Sequence, residues 1–511
     1  MNKKTYLIGL LAVCMLGITS CGKDFLDTHP SDQVAQKDMF TSMANVKVAM
    51  NGVYRGLYRQ YDGQEQDGQP AMMIFMDWMG EDVLHSAAGT SYFRDAYKWI
   101  DHTSPSDGLT TFAFRFHYKI ISDVNEILEG IDGVPGASEA DKNAIKGECL
   151  ALRAWAHFAL VQLYGKRYNA NPEDGELKNS ENLGVAILLT STVLPQPRAS
   201  VEQVYTQINK DLDEAIGYLS VAPARAYKTH VDLSVAKGFK ARVALTMQQY
   251  AVAAQYAKEA RAGYGLMSNA DYLTGFNNIS NTEWMWGANQ LADQLPAYGS
   301  FFAYMSGNFN SAHTRPNPKL INKILYEALP ATDIRKQLWW DGLDATKANF
   351  PGVILAATGL PDPSQVRNRY MHRKYMVKDP AVSVGDIPFM RSAEMYLIEA
   401  EALANLGQTA DAWNAIKDLA LNRNPSLVKT TISLDEVMSQ RRVELWGEGF
   451  RFLDLKRTTE VLTRPAGSTD VKSPTLSSLA GVLSVAKGDP RWQFKIPLSE
   501  TQVNPYMIQN P

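Results

Sequence analysis

The sequence predicts an all-α, mainly helical protein in which pairs of helices form a scaffold that long irregular loops interrupt. Most of the chain beyond residue 37 places apolar side chains at the 3.6-residue spacing of helices that bury one face. Two segments combine small residues with a short turn, as helical hairpins do. Two further stretches, residues 62–117 and 268–380, show no sustained period. Together these observations favour helices over a fold based on sheets.

The N-terminus has the pattern of an export signal. A pair of lysines opens the chain, and an uncharged apolar run follows them as far as Ile18. This run is shorter than the roughly 20 residues that span a bilayer, and its length is typical of a signal-peptide core. We therefore predict a signal peptide over 1–20, a lipidated Cys21 and a polar leader over 22–37. An ordinary secretory signal followed by a chance cysteine is the alternative.

Three helices are predicted in the N-terminal part of the chain. The first covers about residues 38–60, and the second covers about 143–164 and ends at Gly165. Ser200 and Gln203 form a capping-box pattern, in which each side chain accepts a hydrogen bond from the other residue's backbone N–H. The third helix is therefore predicted to begin directly after Ser200.

Two helical hairpins are predicted further along the chain. The first joins residues 236–245 to 251–262 through a turn near Gln249, and the second joins 393–406 to 410–421. In the second hairpin, small residues lie where two helices must approach closely, a pattern typical of tetratricopeptide repeats. Such repeats recur at about 34 residues, whereas the spacing here is irregular. We therefore predict dispersed repeat-like pairs and no regular solenoid.

The two stretches without a helical period are predicted to be ordered loops. They are rich in Gly, Asp, Ser, Asn and Pro, but they also contain many aromatic residues. Long irregular stretches in compact proteins are usually functional loops or disordered segments, and this aromatic content argues against disorder. We predict two regions, an N-terminal one over residues 38–267 and a C-terminal one over 268–511. The second irregular stretch lies at the start of the C-terminal region.

The charge argues against a nucleic-acid-binding protein, and the cysteine content argues against a fold held by internal disulfides. The formal net charge of −3 becomes −5 without the two N-terminal lysines, and no basic run is present. The sequence therefore lacks the positive surface that binds nucleic acid. Of three cysteines, Cys14 leaves with the signal and Cys21 carries lipid, so only Cys149 remains and no internal disulfide forms. The apolar neighbours of Cys149 favour a buried, inert thiol.

The motifs of metal-dependent, nucleotide-binding and hydrolytic enzymes are absent from the sequence. The eight histidines form no His-Glu-x-x-His or other ligand spacing. No Gly-x-Ser-x-Gly elbow, phosphate loop or dinucleotide fingerprint is present. We predict no catalytic residues, no catalytic metal and no cofactor. Binding of a structural calcium ion stays an open alternative, although the sequence contains no EF-hand motif.

Seven segments, spread in order over nearly the whole mature chain, carry the motifs of one family. The most specific is Arg441–Arg457, which reads Arg-Arg-Val-Glu-Leu-Trp-Gly-Glu-Gly-Phe-Arg-Phe-Leu-Asp-Leu-Lys-Arg. The others are Cys21–Asp27, Met79–Val83, Gly147–Gly165, Pro197–Tyr205, Ile387–Ala402 and Lys495–Pro505. In these segments the chain resembles the SusD/RagB family of outer-membrane nutrient-binding lipoproteins.

This resemblance implies a helical fold with tetratricopeptide-like pairs and a glycan site built from loops. It implies a lipoprotein held at the outer membrane by its lipid anchor alone and facing the cell exterior. It also implies a partner, a SusC-like TonB-dependent β-barrel, to which the protein passes captured glycan without cleaving it. Three alternatives stay open: a non-catalytic scaffold, a binder of another nutrient such as peptide, and a lipid-anchored glycoside hydrolase.

The positive signal for sugar binding is the aromatic content of the irregular stretches. Aromatic rings stack on the apolar faces of sugars, while a few polar groups fix the hydroxyls. The resemblance implies a stacking residue near Tyr92 or Phe93 and a second binding segment near Tyr298. For any single one of these aromatic rings, packing in the core is favoured over contact with a ligand. For the group as a whole, we expect at least one ring to contact a ligand. The predicted ligand-binding residues are Tyr92, Phe93, Tyr97, Trp99, Tyr298, Phe301, Tyr304 and Asp82.

Paired carboxylates are the remaining candidates for chemistry, and the sequence favours structural roles for them. Glu81 and Asp82 lie nearest an aromatic-rich loop, but adjacent side chains rarely converge on one sugar as a glycosidase pair must. Glu444 and Glu448 alternate with arginines on the helix predicted over 441–457. Arginines hold such carboxylates ionised, which suits a structural network better than a general acid.

The same helix carries two local predictions. Ser433 and Glu436 form a second capping-box pattern, so Ser433 is predicted to cap the start of the helix. Asp454 follows Arg451 by three residues, and the two are predicted to pair.

Overall fold

A computed structural model describes residues 36–85, 92–169, 177–192, 194–295, 299–309, 319–340, 369–464 and 482–511. The predicted signal peptide, the lipidated Cys21 and nearly all of the leader lie outside these residues. Within them, no helix is both long enough and apolar enough to cross a membrane.

Helices dominate the described chain, which confirms the predicted fold class. The N-terminal α-helices are α1 (Met43–Gly56), α2 (Gly68–Trp78), α3 (Arg94–Tyr97), α4 (Gly108–Gly130), α5 (Glu139–Tyr164), α6 (Val201–Ser220), α7 (Leu233–Thr246) and α8 (Tyr250–Ala260). The C-terminal α-helices are α9 (Asn269–Tyr272), α10 (Phe301–Met305), α11 (Lys323–Glu327), α12 (Ser392–Asn405), α13 (Thr409–Arg423), α14 (Leu434–Glu444), α15 (Arg451–Thr458) and α16 (Leu498–Val503).

Strands are short and form antiparallel pairs. They are β1 (Val83–His85), β2 (Trp284–Ala288), β3 (Lys319–Ile321), β4 (Ile387–Arg391), β5 (Leu462–Thr463) and β6 (Ser484–Val485). β1 pairs with β3, β2 with β4, and β5 with β6. Both tryptophans of β2, Trp284 and Trp286, are buried. The first two pairs join segments that are far apart in the sequence: β1–β3 links the two irregular stretches, and β2–β4 links the second stretch to the strand before α12.

The helices that the sequence predicts are present, with ends shifted by a few residues. The hairpins correspond to α7 with α8 and α12 with α13, and Gly407 takes a left-handed conformation in the second turn. Both capping boxes form as predicted. Ser200 Oγ accepts from the N–H of Gln203 at 3.2 Å, and the Gln203 side chain accepts from the N–H of Ser200 at 2.9 Å. The equivalent pair at Ser433 caps α14.

The prediction that residues 62–117 form an irregular stretch is wrong in part, because α2 and the start of α4 lie there. The residues of α2 are buried on every side. A helix that is apolar all round has no polar face and therefore no 3.6-residue contrast for a sequence pattern to reveal. For this reason the Met-Met-Ile-Phe-Met run of α2 gives no periodic signal from which a helix could be predicted.

The helices pack mainly on their neighbours in sequence. α5 lies between α4 and α6, α6 contacts α7, and α8 contacts both α7 and α12. The main apolar core draws on residues from Val46 to Met507, so both predicted regions contribute to it. A smaller core lies under α12, α13 and α14, where Ala400 and Ala412 are fully buried, as the small-residue pattern of the second hairpin predicts.

The end of α5 is capped by residues from distant parts of the chain. The carbonyl oxygen of Tyr164 accepts hydrogen bonds from Asn510 Nδ2 and Gln493 Nε2, each at 2.8 Å. Arg198 Nη2 donates to the same oxygen at 3.1 Å, and Arg198 Nη1 reaches Asn510 Oδ1 at 2.8 Å. The last residues of the protein therefore complete the hydrogen bonds of a helix in its N-terminal half.

The segment 441–457 is not one continuous helix. α14 ends at Glu444 and α15 begins at Arg451, and Gly447 and Gly449 between them have φ values of +79° and +86°. These left-handed conformations favour glycine. A Cβ atom at Gly449 would lie only 2.6 Å from Met73 Cα, so the break also brings α15 close to α2.

We expect Gly449→Ala to lower the free energy of unfolding by about 2 kcal/mol or more, because it adds both left-handed strain and a backbone clash. Gly217→Ala is the matched control, since nothing lies within 4 Å of a Cβ at this exposed position of α6. Alanine there should raise stability by about 0.5–1 kcal/mol through helix propensity. Denaturant midpoints of both variants measure the difference, and equal stability of Gly449→Ala and wild type would contradict the role of the turn.

Candidate functional site

The two aromatic segments predicted to bind ligand meet at Tyr304. Its ring centroid lies 4.9 Å from that of Phe93 and 5.8 Å from that of Tyr92. Phe93 also packs edge-on against Phe75 and Trp78 of α2, at 4.7 and 5.3 Å. The two segments therefore lie side by side, but Phe93 and Tyr304 are 1% and 2% exposed and belong to the core.

Three further predicted rings are also core residues. The Tyr97 ring lies 4.1 Å under the guanidinium of Arg464, and Trp99 Nε1 donates to a backbone carbonyl at 2.8 Å. Phe301 is fully buried against Tyr375. The prediction that these rings stack on a ligand is corrected, because all three are buried in the core and leave no free face for a sugar. Tyr298 lies outside the described residues.

Tyr92 is the predicted ring that keeps part of its surface exposed. A carboxyl group that the sequence motifs do not mark contacts the residue next to Tyr92. The Glu65 carboxylate accepts the N–H of Phe93, and burial raises the pKa of Glu65. Burial also raises the pKa of Asp67 well above its usual range, but Asp67 is 2% exposed and belongs to the core. This place therefore combines a half-buried ring with one partly exposed carboxyl group, Glu65.

Asp82 is not available to sugar hydroxyls. Its carboxylate is buried and accepts from Arg442 Nη2 at 2.5 Å and from Arg442 Nε at 3.0 and 3.1 Å. The neighbouring Glu81 accepts from Arg451 instead, with Nη2 at 2.5 Å and Nε at 2.9 Å. The prediction of Asp82 as a ligand residue is corrected, because its charge is satisfied inside the protein.

Glu444 and Glu448 form part of a buried ion network, as predicted. Arg391 contacts Glu444 at 3.1 Å, Glu448 at 2.6 Å and also Glu283. Arg423 contacts Glu444 at 3.1 Å and Glu283 at 2.8 Å. Burial alone would raise the pKa of Glu444, but Arg423 and Arg391 outweigh it and hold the pKa below its usual range. Both carboxylates are therefore ionised structural groups.

Asp454 does not pair with Arg451, contrary to the prediction. It accepts from Arg441 Nε and from Arg457 Nε, each at 2.8 Å. Arg451 contacts Glu81 and Glu460 instead. Arg451 and Asp454 both lie in α15 at the predicted spacing, but other partners take their side chains.

Two family models together match the chain from residue 24 to its end. A model described as "Starch-binding associating with outer membrane" matches residues 24–245, and the SusD family model matches residues 247–511. The chain belongs to the SusD family. The first of the two models describes its members as starch-binding and associated with the outer membrane.

Relatives and solved structures share the fold over most of their length. SusD-like protein P38 of Formosa agariphila is 19% identical over 508 residues, which cover 90% of this chain and 92% of the relative. A SusD-like carbohydrate binding protein from Bacteroides vulgatus is 26% identical, with a TM-score of 0.75 and coverage of 92% and 98%. A laminarin binding SusD-like protein is 20% identical, with a TM-score of 0.66 and coverage of 92% and 100%.

The described part of this SusD-family protein offers no metal centre and no reactive thiol. No group of three or more His, Cys, Asp or Glu side chains there is arranged to hold a metal ion. Cys149 is fully buried with its Sγ 3.8 Å from Met50 Sδ, and burial raises the pKa of its thiol well above the usual range. This confirms the predicted inert thiol.

We expect Asp454→Asn to lower the free energy of unfolding by about 3–5 kcal/mol at pH 7, because two buried arginines lose their partner. Burial alone would raise the pKa of Asp454, but Arg441 and Arg457 hold it at about 2. The unfolded pKa is about 3.9. The stability that Asp454 supplies is therefore complete above pH 4 and is lost as the pH falls towards 2.

Unfolding measured at pH 7, 5 and 3 checks this dependence. The difference between wild type and Asp454→Asn should be constant from pH 7 to 5 and smaller at pH 3. Glu327→Gln is the control, since Glu327 is 53% exposed and lies 3.7 Å from Lys323. Exposed pairs contribute about 0–1 kcal/mol. A pH-independent difference for Asp454→Asn would contradict the assignment of this ion pair.

Proposed function

We propose that this protein is a lipid-anchored, surface-exposed glycan-binding protein that captures oligosaccharides and passes them to a SusC-like, TonB-dependent β-barrel. The observation that carries the proposal is the match of both family models, the first of which is described as starch-binding and outer-membrane-associated. Solved relatives named as carbohydrate binding and laminarin binding support the class of ligand.

The anchor in this proposal is Cys21. An apolar run of signal-peptide length precedes it, and a polar leader follows it. One acyl chain binds a membrane only marginally, whereas two or more hold a protein stably. A multiply acylated Cys21 would therefore keep the helical body at the outer surface of the cell without a transmembrane helix.

The capture site in this proposal lies around Tyr92. Its partly exposed ring offers an apolar face, and the partly exposed Glu65, whose carboxylate accepts the N–H of the adjacent Phe93, offers a hydrogen-bonding group. Stacking of a sugar on the ring provides affinity that is tolerant of sugar type, while this carboxyl group adds selectivity. The fixed contact between Tyr92 and Tyr304 presents the ring in one orientation, which lowers the ordering cost of binding.

Capture without cleavage fits the acidic residues of the site. A glycosidase needs two carboxyl groups about 5–9 Å apart on either side of the bond that it breaks. Glu81 and Asp82 are instead buried, and both carboxylates contact Arg442 and Arg451 inside the protein. Holding captured sugar beside a barrel transporter would raise its effective concentration there, as linked sites do generally.

Affinity electrophoresis of the chain from residue 22 onward, against laminarin, starch, xylan and mannan, tests the proposal. We expect retardation by at least one polymer and no new reducing ends in the same samples. Tyr92→Ala should weaken that binding about fivefold to tenfold, because a ring contact of this kind contributes about 1–1.5 kcal/mol.

Tyr227→Ala is the matched control, since Tyr227 is 67% exposed and lies away from Tyr92 in the sequence. Its binding should equal that of wild type. If the wild type produces new reducing ends and Glu81→Gln does not, the protein hydrolyses the glycan, and the proposal of capture without cleavage is wrong. A wild-type protein that no polymer retards would favour a scaffold or a peptide-binding protein.

A further inference from the structure

A cleft of about 840 Å³ opens beside the loop that joins α1 to α2. Its volume lies within the range of about 300–1,000 Å³ that ligand sites usually have. The loop contributes Tyr61 and Asp62 to this cleft, whereas Glu65 of the same loop accepts the N–H of Phe93. None of the residues predicted to bind ligand lines the cleft, so it is separate from the Tyr92 region.

Three further parts of the chain form its walls, and one of them contributes Ala186, Leu188 and Gln196. α4 contributes Thr111, Arg115 and Tyr118, whose spacing places them on one face of the helix. The C-terminal segment contributes Glu500 and Val503 from α16. The cleft therefore brings residues of the second half of the sequence together with residues of the first.

Hydrogen bonds hold the walls in place. Tyr61 Oη donates to a carbonyl at the end of α1 at 3.0 Å. Tyr118 Oη donates to the carbonyl of Ala186 at 2.9 Å, and Asn504 Nδ2 donates to the carbonyl of Gln196 at 2.9 Å. A cleft whose walls are already fixed needs little ordering when a ligand enters.

The chemistry of the lining suits a polyhydroxylated ligand. Tyr61 and Tyr118 are only partly buried and supply aromatic surface. Asp62 and Arg115 pair at 2.8 Å, but their side chains are 68% and 60% exposed, so the pair is weak and both groups remain accessible. Glu500 adds a second carboxyl group. Sugar hydroxyls both donate and accept, so they can use the arginine and the carboxylates together.

We propose that this cleft is a second saccharide site, which takes a neutral oligosaccharide independently of the Tyr92 region. The inference rests on the proposed function. Charges of both signs line the cleft, which disfavours a phosphorylated or strongly acidic ligand. A peptide bound as an added strand would need a sheet edge, and no strand residue lies among the lining residues.

Two saccharide sites on one chain would change which glycans are held best. A polymer that reaches both sites gains avidity, because its second contact is intramolecular. A short oligosaccharide occupies one site at a time and gains nothing from the other. Preference for long chains over short ones would then come from the number of sites and not from a tighter pocket.

The test compares Thr111→Trp, which fills the cleft, with Ser122→Trp on the same helix. Ser122 is exposed, follows Thr111 by 11 residues and lies on nearly the same face about 16 Å further along, outside the cleft. Retardation is measured in gels that contain laminarin, starch, xylan or mannan. We expect polymer binding to weaken at least about fivefold in Thr111→Trp, through lost avidity, and to stay unchanged in Ser122→Trp.

A double variant, Arg115→Ala with Glu500→Gln, removes the polar groups without adding bulk and decides the matter if Thr111→Trp fails to fold. It should lose binding as Thr111→Trp does, with an unchanged thermal midpoint. Equal retardation of wild type, Thr111→Trp and the double variant would overturn the second site alone. A wild type that none of the polymers retards would overturn the proposed function, and the second site with it.

Discussion

The buried charges around Arg391 are the interaction on which the rest of the fold depends. Arg391 ends β4, Arg423 ends α13, and Glu444 ends α14, while Glu283 directly precedes β2. Each of these side chains is fully buried, and each contacts at least two of the others or their neighbours. An ion buried without its partner costs several kcal/mol. The four elements therefore have to meet as a set, which makes the C-terminal half cooperative.

The same constraint extends to the N-terminal half through the break between α14 and α15. The carboxylate of Asp77, at the end of α2, accepts the backbone N–H groups of Gly449, Phe450 and Arg451 at 2.8–3.1 Å. Directly after it, Glu81 and Asp82 bind arginines of α15 and α14. The root of the loop that carries Tyr92 is therefore fixed to the most specific family motif. The motif therefore has a structural role, because it holds the start of the segment that leads to the partly exposed Tyr92.

The sequence predicted the features that leave a local or periodic trace. The helices, the capping boxes at Ser200 and Ser433 and the ionised state of Glu444 all follow from spacing and side-chain chemistry. Two kinds of feature left no such trace. α2 is apolar on every side, so its period is invisible, and the turn at Gly449 is decided by close approach to another helix. Aromatic content likewise marked two segments that meet at Tyr304, but not which rings face outward, because burial of Phe93 depends on α2 and Tyr304.

The cap on α5 has a consequence for the order in which the protein can be completed. The carbonyl of Tyr164 obtains its hydrogen bonds from Gln493 and Asn510, which are made more than 300 residues later. A nascent chain grows from its N-terminus, so only Arg198 among the donors to this oxygen is available to the helix end before Gln493 and Asn510 have been made. Loss of Asn510 alone would therefore weaken the end of a helix that lies in the N-terminal half of the chain.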